Sequence, residues 1–117
     1  NPVSVRSEVS RDALGDLEHQ VLLATLRLKG EAYSVSVVLE IEERTHRSPA
    51  QSAVFIALRR LEEKGFLRSN LEKKGQESGR ARRYFQITPA GVERLRVMRE
   101  SILGLWEGIV AELDGVS

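Results

Sequence analysis

The chain has 117 residues and a mass of 13.1 kDa, with 30% charged and 5% aromatic residues; it supports one domain whose core must come mainly from Leu, Val, Ile and Ala. Cysteine is absent, which excludes disulfide scaffolds, thiolate zinc sites and thiol catalysis, and no apolar run approaches the roughly 20 residues that span a bilayer. The net charge of +1 conceals an uneven distribution: residues 66–84 carry six basic and two acidic side chains, whereas residues 100–117 carry four acidic and no basic ones.

No signal-peptide pattern opens the chain, so a cytoplasmic location is expected. Residues 1–12 read as a polar, weakly ordered arm. From Leu14, the positions Leu14, Leu17, Val21, Ala24 and Leu28 follow three-four spacing, while Leu22, Leu23 and Leu26 occupy the other faces. This predicts a first helix, ending at Gly30, that must be covered on more than one side. A second, shorter helix is predicted over Ser34 to Thr45, with Val37, Val38 and Ile41 inward and Glu40, Glu42, Glu43 and Arg44 outward.

After a turn at His46 and Arg47, Ser48 as N-cap, Pro49 at the first helical position and Gln51 at the third predict a capping-box start to a third helix. That helix should bury Val54, Leu58 and Leu61, end at Gly65, and leave Gln51, Ser52, Phe55 and Arg59 on its outer face. Two strands follow, over Phe66 to Lys73 and Arg82 to Ile87, joined by a polar loop with Gly75 and Gly79 near its ends. Phe85 is expected in the core and Tyr84 partly exposed. Thr88 and Pro89 then start a last helix running to about Leu113, close to 40 Å long. Its apolar positions Val92, Leu95, Ile102, Trp106, Ile109 and Leu113 step by three and four, with Arg99 out of pattern; the helix either folds back on its own core or, as the repeat favours, packs on a second subunit.

Three helices, a basic hairpin and a long last helix describe a mainly helical α+β fold, a winged helix-turn-helix. Its domains would be the arm, a DNA-binding unit over residues 13–88 and a dimerisation helix over residues 89–117. In such a unit the second helix of the pair enters the major groove with its N-terminal residues at the base edges. Here these are Gln51, Ser52 and Phe55: Gln can pair bidentately with adenine, Ser can bond phosphate or base, and an apolar ring can meet a thymine methyl. Arg59 shares their face. Lys73, Lys74, Arg80, Arg82 and Tyr84 lie on the wing or its base, where cations would contact phosphates and set register; the stem of Arg83 is expected to cover the core instead.

The segments LGDLEHQVLLATL, AYSVSVVLEIEERT, AVFIALRRLEEKGFL and, above all, GRARRYFQITPAG resemble the PadR-type transcriptional regulators, over about Leu14 to Leu113. The resemblance implies a dimeric winged-helix regulator, usually a repressor, of the short subclass with one C-terminal dimerisation helix. It also implies that Phe55 stands where a DNA-contacting tyrosine is usual and that Arg80 and Arg82 stand in the wing. Ser34 and Ser52 replace usual glycines, and Phe55 lacks the tyrosine hydroxyl, so the family's contacts at 52 and 55 do not transfer directly.

The expected dimer interface comprises Leu17, Val21, Leu95, Ile102, Trp106, Ile109 and Leu113. Trp106 either fills that seam or, by resemblance to multidrug-sensing members, offers a stacking platform for a small aromatic effector, with Gly104 and Gly108 leaving space beside it. No catalytic motif occurs: His19 reads as a packing or dimer-edge residue, His46 as a turn residue, and Glu40, Glu42 and Glu43 as a solvated face. Neither a metal nor a cofactor is expected. The partners implied are double-stranded DNA carrying a pseudo-palindromic operator, a second copy of the chain, and possible small aromatic effectors, with no membrane. The competing reading is a winged-helix protein–protein interaction module without DNA binding.

Overall fold

The computed structural model describes residues 14–73 and 81–115; the expected arm, the wing tip and the candidate contacts Lys74 and Arg80 lie outside them. Helix α1 spans Asp16–Leu28, α2 Ser34–Thr45 and α3 Gln51–Glu63. Strand β1 spans Leu67–Glu72 and β2 Arg82–Ile87, followed by α4 over Pro89–Trp106 and the short α5 over Val110–Gly115. The winged-helix architecture is as expected, with α2 and β2 at the expected bounds.

Helix α1 has Asp16 and Glu18 in its first turn, where carboxylates oppose the positive end of the helix dipole. It ends as Lys29 and Gly30 both take positive φ, 49° and 92°. Its inner side buries Val21, Leu22, Ala24 and Thr25. The Thr25 hydroxyl donates to the Val21 carbonyl at 2.8 Å, so no polar group in that layer is orphaned. Helix α2 starts at Tyr33, whose backbone N–H donates to Ser36 Oγ at 2.9 Å, and buries Val37 and Ile41.

Helix α3 buries Val54, Ala57, Leu58 and Leu61 and packs against both earlier helices. The capping-box start is corrected: α3 begins at Gln51, its N-cap is Ala50 in extended backbone, and no side chain caps it. The Gln51 amide, which the local pattern assigned to the cap, instead donates to Ser34 Oγ at 3.3 Å, across to the start of α2. A contact with a neighbouring helix has displaced the local one.

The strands pair antiparallel with Leu67 opposite Ile87 and Glu72 opposite Arg82. Ala32 adds a one-residue bridge to Phe85, whose N–H donates to the Ala32 carbonyl at 2.8 Å. Phe85 therefore reaches the core, among Leu22, Leu58, Leu61, Val37 and Val54. The partial exposure expected for Tyr84 is corrected. It is 3% exposed, because the Tyr33 ring packs edge-on against it with centroids 5.6 Å apart.

At the start of α4 the Thr88 hydroxyl accepts from Gly91 N–H at 3.1 Å and donates to the Gly65 carbonyl at 2.6 Å. The same turn is fixed to the start of the wing by Thr88 N–H donating to the Phe66 carbonyl. The continuous last helix is also corrected. Helix α4 stops at Trp106, Glu107 leaves helical backbone in a turn, and Gly108 takes φ 82° before α5 begins. Glycine enters that left-handed region without the Cβ clash other residues suffer, and the apolar repeat does not overcome it. At 18 residues, α4 is about 27 Å long.

Candidate nucleic-acid interface and exposed apolar face

The outward face of α3 carries Gln51, Ser52, Phe55 and Arg59, all exposed, with Phe55 retaining 43% of its surface in solvent. Arg59 is not an independent cation: its Nε lies 3.8 Å from Glu62 Oε1. Glu62 Oε2 accepts from Ser69 Oγ at 2.7 Å, and Ser69 Oγ in turn accepts from Arg83 at 2.9 Å. A polar chain thus ties α3 to both strands of the wing. Arg83 is partly buried within it.

Lys73 is exposed at the end of β1. Arg82, across the sheet from Glu72, lays its guanidinium over the Tyr33 ring, 4.1 Å from the centroid. Stacking of this kind is characteristic of guanidinium and leaves its N–H edges available for other bonds. Tyr84 lies beneath this pair and contributes packing; its buried ring is not on the exposed interface. Arg68, which the sequence pattern did not single out, stands exposed on β1 with its Nε bonded to Gln86 Oε1 at 3.2 Å.

Sequence reasoning missed the roles of Tyr33, Ser34, Glu62 and Ser69. Glu62 and Ser69 sit in ordinary helix and strand patterns, and only their partners distinguish them. Ser34 was visible as a departure from a family pattern and Tyr33 as its neighbour, but the groups that each one meets come from distant segments.

The second feature is apolar. Between α1 and α4 runs a groove of about 390 Å³ lined by His19, Leu23, Leu26, Leu95, Ile102 and Leu103. Beyond it Val97, Leu105, Trp106, Ile109 and Leu113 are also exposed, Leu105 at 74%. The expected dimer face is corrected at two positions, since Val21 and Leu95 are buried in the chain's own core and Leu17 packs partly against it. On α1 the outward apolar residues are Leu23 and Leu26 instead. His19 lies at the groove's edge. Trp106 ends α4, and nothing lies within 4 Å of a Cβ placed on Gly104.

The acidic face of α2 is partly engaged. Glu40 bonds Arg27 at 2.8 Å and Arg44 at 3.3 Å, and the guanidinium of Arg27 foremost holds its carboxyl below the ordinary value. Among the described residues no group of three His, Cys, Asp or Glu could hold a metal ion. No described helix is long and apolar enough to cross a membrane.

Residues 22–97 match the family model of the transcriptional regulator PadR-like family. The chain belongs to that family. Solved structures of PadR-type proteins share the fold. A PadR family transcription regulator from Clostridium difficile R20291 is 20% identical, covers 81% of this chain and 97% of its own, and superposes with a TM-score of 0.66. One from Eggerthella lenta DSM 2243 is 23% identical over 98% of this chain and 94% of its own, TM-score 0.65. A PadR-like regulator from Bacillus cereus is 18% identical over 86% and 89%, TM-score 0.62. No curated protein matches the chain significantly. In this PadR-like chain the exposed start of α3 and the exposed cations of the strands form the candidate nucleic-acid surface.

Proposed function

We propose that this PadR-like protein is a cytoplasmic, homodimeric repressor that binds a pseudo-palindromic operator in duplex DNA, with residues 13–88 as the DNA-binding domain and residues 89–117 serving dimerisation. The observation that carries the reading is the joining of the two contact elements. The start of the recognition helix and the wing cation Arg82 are each held by neighbouring residues of one short segment, Ser34 and Tyr33. Gln51, Ser52 and Phe55 would face base edges, while Lys73, Lys74, Arg80 and Arg82 would face phosphates.

The uncovered apolar surface of α1, α4 and α5 supports dimerisation, because monomeric proteins rarely leave contiguous apolar patches in water. A two-fold axis through that face would set two recognition helices into successive major grooves, about 34 Å apart. Trp106, exposed at the end of α4 beside the break at Gly108, is the proposed platform for a small aromatic effector. Its binding releases DNA if the ligand favours one spacing of the two wings.

The test is fluorescence anisotropy on the duplex upstream of the protein's own reading frame and on a scrambled duplex, across a salt series, with Arg82→Ala alongside. Preference for the upstream duplex, a steep fall in affinity with salt, and weakening by Arg82→Ala support the reading. Undetectable or salt-insensitive binding points to the protein-interaction module.

A further inference from the structure

The segment Ala32–Ser34, which leads from the turn after α1 into the first residue of α2, touches three separate residues of the α3 start and β2 at successive positions. Ala32 pairs with Phe85 of β2, the Tyr33 ring lies under the Arg82 guanidinium, and Ser34 Oγ accepts from the Gln51 amide. The contacts to Arg82 and Gln51 lie outside the core, although the Tyr33 ring also covers buried Tyr84. Resting on the DNA-binding reading, we propose that Tyr33 and Ser34 are positioning residues for recognition: Ser34 orients Gln51 for a base, and Tyr33 holds Arg82 for a phosphate.

The chemistry at Gln51 is specific. An amide nitrogen carries two hydrogens, and an amide oxygen accepts. With one hydrogen committed to Ser34, the other and Oε1 form the edge that matches N7 and N6–H of adenine. Ser34 thus restrains an exposed amide before DNA arrives, with the amide nitrogen turned toward the hydroxyl. The Ser34 hydroxyl proton stays available to donate to a phosphate, so the same residue links backbone register to base readout. A glycine at this position has no such group.

The chemistry at Arg82 is positional. A long exposed arginine samples many rotamers, and fixing it costs side-chain entropy on binding. The Tyr33 ring, itself seated edge-on against buried Tyr84, limits that sampling while leaving the guanidinium edges open. Because Tyr33 is also the N-cap of α2, the wing cation and the start of the helix pair share one anchor.

The experiment is binding-site selection from a duplex pool with a randomised core, using the full chain as wild type, Gln51→Ala and Ser34→Ala, followed by salt-series titration of the selected duplex with Tyr33→Leu and Tyr33→Phe. Melting curves confirm that each variant folds. Wild type is expected to select adenine at one major-groove position per half-site by tenfold or more, on the order of a bidentate pair. Gln51→Ala should abolish that preference, and Ser34→Ala, which leaves the core intact, should reduce it severalfold without altering other positions. Tyr33→Leu should lower the salt slope by about 0.9 for each phosphate that Arg82 no longer neutralises, and Tyr33→Phe, which keeps the ring, should retain the wild-type slope. A purely structural role would weaken all duplexes alike. Wild-type base preference in Ser34→Ala, or a wild-type slope in Tyr33→Leu, overturns the inference while leaving the DNA reading intact. A wild-type protein that selects no sequence overturns the DNA reading and this inference together.

Discussion

Gly91, in the first turn of α4, lies so close to Phe66 that a Cβ there would overlap the Phe66 carbonyl oxygen and press on Ile87 Cγ1. The Thr-Pro-Ala-Gly start is therefore a packing requirement as well as a helix signal: the helix must pass against the backbone that begins the wing. Gly91→Ala is expected to destabilise the fold by about 1–3 kcal/mol, the usual cost of overpacking. Gly104→Ala has open space around it and should instead gain up to about 1 kcal/mol from helix propensity. Urea denaturation of the two variants beside wild type reads both signs at once.

Thr88 closes the same corner from the other side, accepting from Gly91 N–H and donating to the Gly65 carbonyl. Thr88→Ala removes the cap and should lower stability by about 1 kcal/mol. If the unfolding midpoint is unchanged, the corner is not held in this way.

The Arg27–Glu40–Arg44 cluster predicts an acid-sensitive component of stability. With the Glu40 carboxyl held below its ordinary 4.5, chiefly by its bond to Arg27, the unfolded chain binds the proton more readily. The contribution is complete above about pH 4.5 and disappears as pH falls through the lower folded value. Glu40→Gln should accordingly be less stable than wild type at neutral pH, with the gap narrowing on acidification. Thermal melts between pH 7 and pH 3 check this; a constant gap would contradict it.

The apolar surface on α4 predicts a mass. Leu103, 58% exposed and lining the groove against α1, would place a charge within the proposed subunit contact if replaced by Glu. Light scattering should give wild type at twice the chain mass of 13.1 kDa and Leu103→Glu near the single chain. A monomeric wild type would contradict the dimer.

What the sequence made legible was local. Helix α2 and strand β2 were bounded correctly because apolar spacing and flanking turns agree there. Thr88 and Pro89 marked the start of α4 because both signals act within one turn. The failures share a non-local cause. The Ser48–Pro49–Gln51 pattern suggested a cap that Gln51 forgoes for Ser34, seventeen positions earlier. Tyr84 alternates outward on its strand, but Tyr33 arrives from another segment to bury it. The repeat through Leu113 implied one continuous helix, whereas the left-handed conformation of Gly108 divides it. At the candidate site, the exposed residues of α3 and the cations near the wing could be read directly. The residues that aim them could not, because nothing adjacent in the chain distinguishes Tyr33 as a partner of Arg82.

Two linked recognition units reading one operator, as proposed above, would leave a two-part footprint. Hydroxyl-radical footprinting on the duplex upstream of the protein's own reading frame tests it most directly. Two protected segments with centres one helical turn apart, about 34 Å, are the predicted result. Uniform protection without sequence preference, or no protection at low salt, would contradict it.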